Sequence, residues 1–282
     1  YPELPMPTRL ADLFETASSS DVAPSSKHTA HDEEFPETPY AICLTPRSGS
    51  TYLTYLLRDT GKFGFPDEWL NAFKIKDEVA SLGTSNIALF LRRILIKHAS
   101  ENGVSGLEFS YSQLLAAQKI GNLDKTLTGR MRYFYLRRRN IVRQAISLYT
   151  AFQSGLLHSN DSNDEKRAAH AQVNYNRKAI RENINILHDQ EMGWETYFGS
   201  LRIEPDRLYY EDLIARPDKV LRRMSNILGL DVTPLPSRDS AIKPISDHRN
   251  EEWEARFRDE EADYLKTHAK YRPFTHIRAQ ET

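Results

Sequence analysis

The sequence has few of the residues that build covalently stapled, metal-bound or membrane-spanning folds. It contains one cysteine, Cys43, among 282 residues, which excludes an internal disulfide framework and a cysteine-based zinc site. With 38 basic and 39 acidic side chains its formal net charge is −1, so no uniformly basic surface is available for nucleic acid or an anionic membrane. The apolar runs, such as 87–91, are far shorter than the roughly 20 residues of a membrane span. We expect a cytoplasmic protein with no nucleic-acid partner and no transmembrane segment.

Composition divides the chain into an N-terminal extension and one larger domain. Residues 17–38 are rich in Ser, Pro and acidic side chains and have little to bury, which is typical of a flexible linker. The remainder has an apolar fraction large enough for a core, given that 39% of the whole chain is apolar. We therefore predict a partly flexible extension over 1–38 and a single domain over 39–282.

Strand patterns alternate with amphipathic helix patterns along this domain. The predicted pairs of strand and helix are 40–45 with 51–58, 131–136 with 141–152, and 207–210 with 217–228. Further helices are predicted at 86–100, 174–198 and 251–268. This alternation predicts an α/β fold in which helices flank a parallel sheet on both faces.

The loop after the first strand, Pro-Arg-Ser-Gly-Ser-Thr at 46–51, has the parts of a phosphate cradle. The candidate anion-binding residues are Arg47, Ser48, Gly49, Ser50 and Thr51, which combine backbone N–H groups at a helix N-terminus with a charge and hydroxyls. The loop is P-loop-like but not a Walker A motif, because Ser50 stands where that motif has lysine. The alternative is a plain turn in which a serine caps the helix.

A second basic signal follows the second predicted strand. Residues 130–143 include six arginines and no acidic residue, and Arg138 and Arg139 lie where the strand ends. Ser147 comes eight residues after Arg139, on the next helix. The carboxyl edge of a parallel sheet is where ligands bind, so these side chains predict a site for a second phosphate. The alternative is an ordinary solvated basic patch.

Metal ligands are not evident in the sequence. Among nine histidines the only close pair is His28 and His31, which lie in the predicted linker. We predict that the site contains no metal.

Several motifs in order resemble those of sulfotransferases that use 3′-phosphoadenosine 5′-phosphosulfate. They are Arg-Ser-Gly-Ser-Thr at 47–51, Gly-Phe-Pro-Asp-Glu-Trp at 64–69, Arg-Asn-x-x-x-x-Ala-x-Ser at 139–147 and Tyr-Glu-Asp-Leu at 210–213. Within that superfamily the sequence most resembles the bacterial carbohydrate sulfotransferases typified by mycobacterial trehalose 2-sulfotransferase. The resemblance implies a sulfotransferase fold and in-line transfer of the sulfuryl group to a hydroxyl of a carbohydrate or glycolipid acceptor.

The resemblance also implies roles for individual residues. The donor's 5′-phosphosulfate is expected on the N–H groups of 48–51, with Arg47 neutralising charge on the bridging oxygen as it leaves. Its 3′-phosphate is expected on Arg139 and Ser147, with Arg138 as the competing choice. Glu68 is expected to be the base that accepts the acceptor's proton. The alternative for Asp67 and Glu68 is that they cap a helix beginning near Trp69.

The sequence departs from the family pattern where the acceptor is concerned. Glu108 stands where relatives commonly carry lysine, and residues 149–153 lack an arginine of the trehalose enzyme. Acceptor specificity therefore does not carry over. Two alternative functions are a kinase-like phosphotransferase and a non-catalytic nucleotide-binding protein. Because the family includes homodimers, a homodimer is expected. The helices that contain Trp194 and Trp253 are the candidates for its interface.

Overall fold

A computed structural model describes residues 10–19, 35–121, 123, 127, 131–156, 163–232 and 248–269. Its strands are β1 (Thr38–Leu44), β2 (Val104–Ser110), β3 (Arg132–Arg137) and β4 (Asp206–Tyr209). Its helices are α1 (Leu10–Ser19), α2 (Ser50–Asp59), α3 (Ala72–Leu82), α4 (Ile87–Lys97), α5 (Tyr111–Gln118), α6 (Ile141–Ser154), α7 (Asp164–Gln172), α8 (Arg177–Leu201), α9 (Tyr210–Ala215), α10 (Pro217–Leu228), α11 (His248–Glu260) and α12 (Ala262–Ala269).

The four strands form one parallel sheet in the order β2-β1-β3-β4. Cys43 on β1 pairs with Phe109 on one side and with Tyr135 on the other, so β1 is an interior strand. The predicted α/β fold is confirmed. Because all strands run the same way, the loops after β1, β2, β3 and β4 meet at one edge, where the motif residues lie.

Alternate residues of β1 enter two different apolar cores. Ala41 and Cys43 face a core that includes Trp194 and Phe198 of α8, whereas Tyr40 and Ile42 face a core lined by α2 and α10. Helices therefore cover both faces of the sheet, as predicted.

Both tryptophans of the suggested dimer helices are core residues of the chain itself. Trp194 is fully buried, and its indole Nε1 donates to the backbone oxygen of Leu44 at 2.8 Å. Trp253 is buried in a third cluster, against Tyr149 of α6. Their burial within the chain therefore gives no support for an interface, and the homodimer stays an expectation.

Part of the N-terminal extension packs onto the domain. Helix α1 buries Leu10, Leu13 and Phe14 in the core that contains Trp194, and the rings of Phe14 and Phe90 meet edge to face at 5.4 Å. The predicted linker beyond α1 lies largely outside the described residues. Helix α1 of the extension therefore packs with the domain, and the predicted boundary at residue 38 stays a prediction.

The structure contains elements that were not predicted from the sequence, namely helices α1, α3, α5, α7 and α9 and strand β2. Strand β2 has no recognisable strand pattern, because all its residues are buried and Ser105, Gly106 and Glu108 interrupt the apolar run. The helix predicted at 251–268 is two helices, broken at Glu261.

Across the described ranges, no single helix is long and apolar enough to cross a membrane; α3 and α4 pass that test only as a pair, bent by 96°.

Candidate active site

The loop between β1 and α2 is shaped by a glycine that no other residue could replace without strain. Gly49 is the N-cap of α2 with φ +90°, and no side chain in the described part of the chain caps the helix there. A Cβ at this position would lie 2.4 Å from Cδ2 of Tyr210. The predicted alternative of a serine cap is therefore not what the structure shows. The helix instead begins with uncapped N–H groups beside a tightly packed aromatic ring, which is the arrangement of an anion cradle.

The cradle also contains a buried hydroxyl with no partner. Ser48 is 1% exposed, and its Oγ makes no hydrogen bond among the described residues. A buried polar atom without a partner costs free energy, so each such atom in a native structure needs an explanation. Next to it, Arg47 has φ +64°, a conformation that non-glycine residues rarely adopt. An orphaned hydroxyl and a strained backbone at one turn both fit a loop built to surround a ligand.

Arg47 joins the cradle to the second predicted phosphate site. Its Nε donates to Oγ of Ser147 at 3.0 Å, and Nη1 of Arg138 contacts its backbone oxygen at 3.5 Å. The guanidinium of Arg138 lies 4.5 Å from the ring centre of Tyr210. Burial, reinforced by the charge of Arg138, lowers the pKa of Arg47 to about 10. Burial also lowers the pKa of Arg138. Two desolvated cations that repel each other thus lie at one loop, and an anion bound near both would stabilise their charged forms.

Three other arginines of this run, Arg137, Arg139 and Arg143, are held by carboxylates. Arg137 donates to Glu191 at 3.0 Å, and Arg139 makes a two-point contact with Asp212 at 2.9 and 2.7 Å. The hydrogen bonds to Asp212 raise the pKa of Arg139. Arg143 is similarly paired with Glu254 and Glu251. The basic run is therefore not simply a solvated patch, because these arginines form ion pairs, and not all of it is arranged as a phosphate-binding site.

A residue that the sequence did not single out docks α6 onto the cradle loop. The side chain of Gln144 is fully buried, and its Nε2 donates to Oγ1 of Thr45 at 2.9 Å and to the backbone oxygen of Pro46 at 2.8 Å. Ser147, one turn further along, is brought to Arg47 in this way. The signal available in the sequence was an uncharged amide on the apolar face of a predicted helix.

The segment that contains Glu68 lies against β2. Asp67 bridges to Leu107, and the N–H of Glu108 donates to the backbone oxygen of Asp67 at 2.9 Å. Oε2 of Glu68 accepts from Nδ2 of Asn71 and from Nε2 of Gln113, each at 2.9 Å. These two bonds fix the carboxylate and involve only one of its oxygens.

Asp67 has a structural role beside it. Its carboxylate pairs with Arg58 at 2.9 Å and with Lys74 at 2.5 Å. Burial opposes ionisation of Asp67, but the bonds from Lys74, from the N–H of Glu68 and from Arg58 outweigh it and lower its pKa. The nearest helix begins at Ala72, so the alternative of Asp67 and Glu68 capping a helix at Trp69 is not observed.

Glu108 connects the two halves of the site. It is 3% exposed, and its carboxylate accepts hydrogen bonds from the hydroxyls of Thr54 and Ser50. Burial, with a further contribution from the charge of Glu68, raises the pKa of Glu108 to about 7. The hydroxyl of Ser50, expected at the cradle, is thus directed to β2. The sequence identified Glu108 only as a departure from the family.

Comparison with known proteins identifies the family. The model of the Stf0 sulphotransferase family matches residues 39–260. The chain belongs to this family. It is a sulfotransferase, and the alternatives of a phosphotransferase and of a non-catalytic nucleotide-binding protein lose their support.

Two relatives are named trehalose 2-sulfotransferase. The protein of Mycobacterium tuberculosis (strain ATCC 35801 / TMC 107 / Erdman) is 26% identical over 259 residues, which cover 79% of this chain and 95% of the relative. That of Mycolicibacterium smegmatis (strain ATCC 700084 / mc(2)155) is 25% identical over 258 residues, which cover 78% of this chain and 94% of the relative.

Solved sulfotransferase structures are also similar. Sulfotransferase STF9 from Mycobacterium avium is 13% identical, covers 92% of this chain and 83% of its own, and has a TM-score of 0.49. The sulfotransferase domain from the curacin biosynthetic pathway is 15% identical, covers 77% of this chain and 83% of its own, and has a TM-score of 0.47.

Within the described residues, no cluster of three or more His, Cys, Asp or Glu side chains could hold a metal ion. His28 and His31 lie outside those residues.

Proposed function

We propose that this sulfotransferase moves the sulfuryl group of 3′-phosphoadenosine 5′-phosphosulfate to a hydroxyl of a carbohydrate or glycolipid. The observation that carries the proposal is the anion cradle, in which the uncapped N-terminus of α2, the orphaned Oγ of Ser48 and the cations of Arg47 and Arg138 lie together. The donor supplies an activated sulfuryl group on a phosphate anhydride, and a cradle of this kind suits a multiply charged nucleotide.

The cradle residues are assigned to two parts of the donor. The N–H groups of 48–51 and the Ser48 hydroxyl bind the 5′-phosphosulfate. Arg47 neutralises charge on the leaving oxygen, where a desolvated guanidinium is worth more than one in water. For the 3′-phosphate we favour Arg138 with Ser147, because Arg139 is engaged by Asp212 at two points. Binding through Arg139 would require this ion pair to open.

Glu68 is assigned as the base. Asn71 and Gln113 hold its Oε2, which leaves Oε1 to accept the proton of the acceptor hydroxyl. The O–H bond of the acceptor breaks towards Glu68 while its oxygen bonds to sulfur, and the electron pair of the broken bridging S–O bond leaves on the nucleotide phosphate. Proper placement of the hydroxyl supplies much of the rate.

The acceptor class rests on the two relatives named for trehalose. A sugar hydroxyl is the natural candidate, whether free or in a glycolipid. The identity of the sugar is left open, because Glu108 and residues 149–153 depart from the family pattern.

The test combines a transfer assay with a matched pair of variants. Radiolabelled sulfate transfer from the donor is measured over a panel of sugars and glycolipids, and adenosine 3′,5′-bisphosphate binding is measured by calorimetry. We expect Glu68→Gln to keep bisphosphate binding within a few-fold of wild type and to lose turnover by roughly 10²- to 10⁴-fold. The control is Glu182→Gln, whose side chain is 53% exposed and pairs with Lys178 at 4.0 Å. Near-normal turnover of Glu68→Gln would refute its role, and binding of ATP but not the bisphosphate would refute the donor.

A further inference from the structure

Glu108 is a buried carboxyl for which the proposed mechanism has no use. It lies on β2 opposite Ile42, directly beneath the first turn of α2. Its two hydroxyl partners both belong to that helix: Ser50 is the first residue of α2 and part of the cradle, and Thr54 is one turn further along. A negative charge at this point stands immediately behind a site built for anions.

The hydrogen bond between Ser50 and Glu108 has a consequence for the cradle. A serine hydroxyl has one proton to donate. While Glu108 is ionised it can only accept, so the proton of Ser50 is committed to it. Once Glu108 is protonated it can donate to its hydroxyl neighbours, and the Ser50 proton is then free for an anion. Protonation also removes a like charge from behind the anion.

We propose that Glu108 is a positioning residue that couples donor binding to the uptake of a proton in the cradle. The inference rests on the proposed donor. It follows from the placement of a buried carboxyl near both a cradle hydroxyl, that of Ser50, and the carboxylate of Glu68. The bridge from Asp67 to Leu107 holds the segment that contains Glu68 against β2. The raised pKa of Glu108, about 7, places the event in the neutral range.

The charged groups around Glu108 act in both directions. Glu68 and Asp67 repel its negative charge and favour protonation. Lys74 on α3 favours ionisation of Glu108, since the attraction between the two charges also raises the pKa of Lys74. Tyr40 on β1 faces the carboxyl and is neutral, because burial and the charge of Glu108 raise its pKa well above the usual value. Arg58 on α2 lies near this cluster and adds positive charge.

The test is calorimetric binding of adenosine 3′,5′-bisphosphate in buffers of different ionisation enthalpy, with wild type and Glu108→Gln compared. If the pKa of Glu108 rises from about 7 to about 8 on binding, wild type takes up about half a proton at pH 7.5 and binds about fivefold more weakly at pH 8 than at pH 6. Glu108→Gln keeps the shape of the side chain and should lose both effects. Titration of the ligand's own phosphates is common to both proteins and cancels in the comparison.

Two further variants distinguish titration of Glu108 from a merely structural role. Thr54→Val removes a bond that stabilises the ionised form, so the midpoint of the pH dependence should rise. Glu68→Gln removes a repelling carboxylate, so the midpoint should fall. Failure of the bisphosphate to bind overturns the proposed donor. If the bisphosphate binds with equal proton uptake to wild type and Glu108→Gln, the role of Glu108 is overturned and the proposed donor is not. The same conclusion follows if Thr54→Val and Glu68→Gln shift the midpoint of the pH dependence in the same direction.

Discussion

Replacing Gly49 with alanine isolates the contribution of the cradle's shape. The backbone at Gly49 has φ +90°, and an added Cβ would lie 2.4 Å from Cδ2 and 3.0 Å from Cε2 of Tyr210. The left-handed conformation costs an L-residue about 1–2 kcal/mol. Displacement of a packed ring adds about 1–3 kcal/mol, as overpacking does. We therefore expect Gly49→Ala to lower the free energy of unfolding by about 2–5 kcal/mol.

Gly61→Ala provides a matched control for the backbone contribution alone. Gly61 also has a positive φ, +66°, but a Cβ added there would have no atom within 4 Å, and the residue follows α2 rather than opening it. We expect this variant to lose only about 1–2 kcal/mol and to bind the nucleotide normally. The difference between the two variants then measures the contact with Tyr210.

The same substitution of Gly49 should weaken binding of adenosine 3′,5′-bisphosphate. Turning one cradle N–H away from the anion removes a charge-assisted hydrogen bond of about 1.5–3 kcal/mol, which is roughly a 10- to 150-fold increase in Kd. Urea denaturation gives the stability change and calorimetry the affinity. If Gly49→Ala matched Gly61→Ala in both measurements, neither the packing against Tyr210 nor the N–H groups of this turn would define the anion site.

Four further variants test the surrounding charges. Arg138→Lys should weaken bisphosphate binding at least tenfold and Arg139→Lys much less, as measured by calorimetry; the reverse order would reassign the 3′-phosphate. Glu191→Gln leaves the largely buried Arg137 guanidinium with only its longer contact to Glu195 at 3.8 Å, so urea melts should show a loss of about 3 kcal/mol, and a loss below about 1 kcal/mol would contradict a buried pair with Glu191. The pKa of Asp67 is lowered in the folded state, so its ionisation stabilises the fold above its unfolded pKa of about 3.9, and this contribution disappears as the pH falls. Asp67→Asn should therefore flatten the decline in the free energy of unfolding between about pH 5 and pH 3, as measured by urea melts.

The elements that could be predicted were those with a clear period and clear ends. Strand β3 ends in arginines, α6 begins at the Asn140 cap and α10 ends at Gly229 with φ +70°, and all three lie within a residue or two of the prediction. Strand β2 could not be found in this way. Its alternate positions carry Leu107 and Phe109 on one face but a glycine and a carboxyl on the other, because that face meets Tyr40 and the cradle helix.

The sequence identified the basic residues at the sheet edge but could not assign them. Consecutive side chains in an extended segment point to opposite sides, so Arg137 reaches Glu191 while Arg138 reaches the loop of Arg47. Arg139 turns to Asp212, whose position two residues into α9 depends on where β4 ends. Which arginine faces a ligand is therefore decided by carboxylates that are more than 50 residues away in sequence, and no local pattern contains that information.

Positive and negative charges at the candidate active site lie in two separate layers, with cations in the outer layer and a carboxyl beneath them. The outer layer has cations, Arg47 and Arg138, whose pKa values are lowered by burial. The layer beneath has a carboxyl, Glu108, whose pKa is raised by burial. Each group is poorly solvated in its charged form, and the two kinds respond oppositely to an anion: the cations are stabilised by it, whereas the carboxyl must give up its charge. A multiply charged anion is thus favoured by the two cations but opposed by the carboxyl until Glu108 takes up a proton, whereas a neutral molecule experiences neither effect. On the proposed assignment, charge alone therefore favours the donor in this cradle, and we expect the acceptor to be selected by the groups around Glu68.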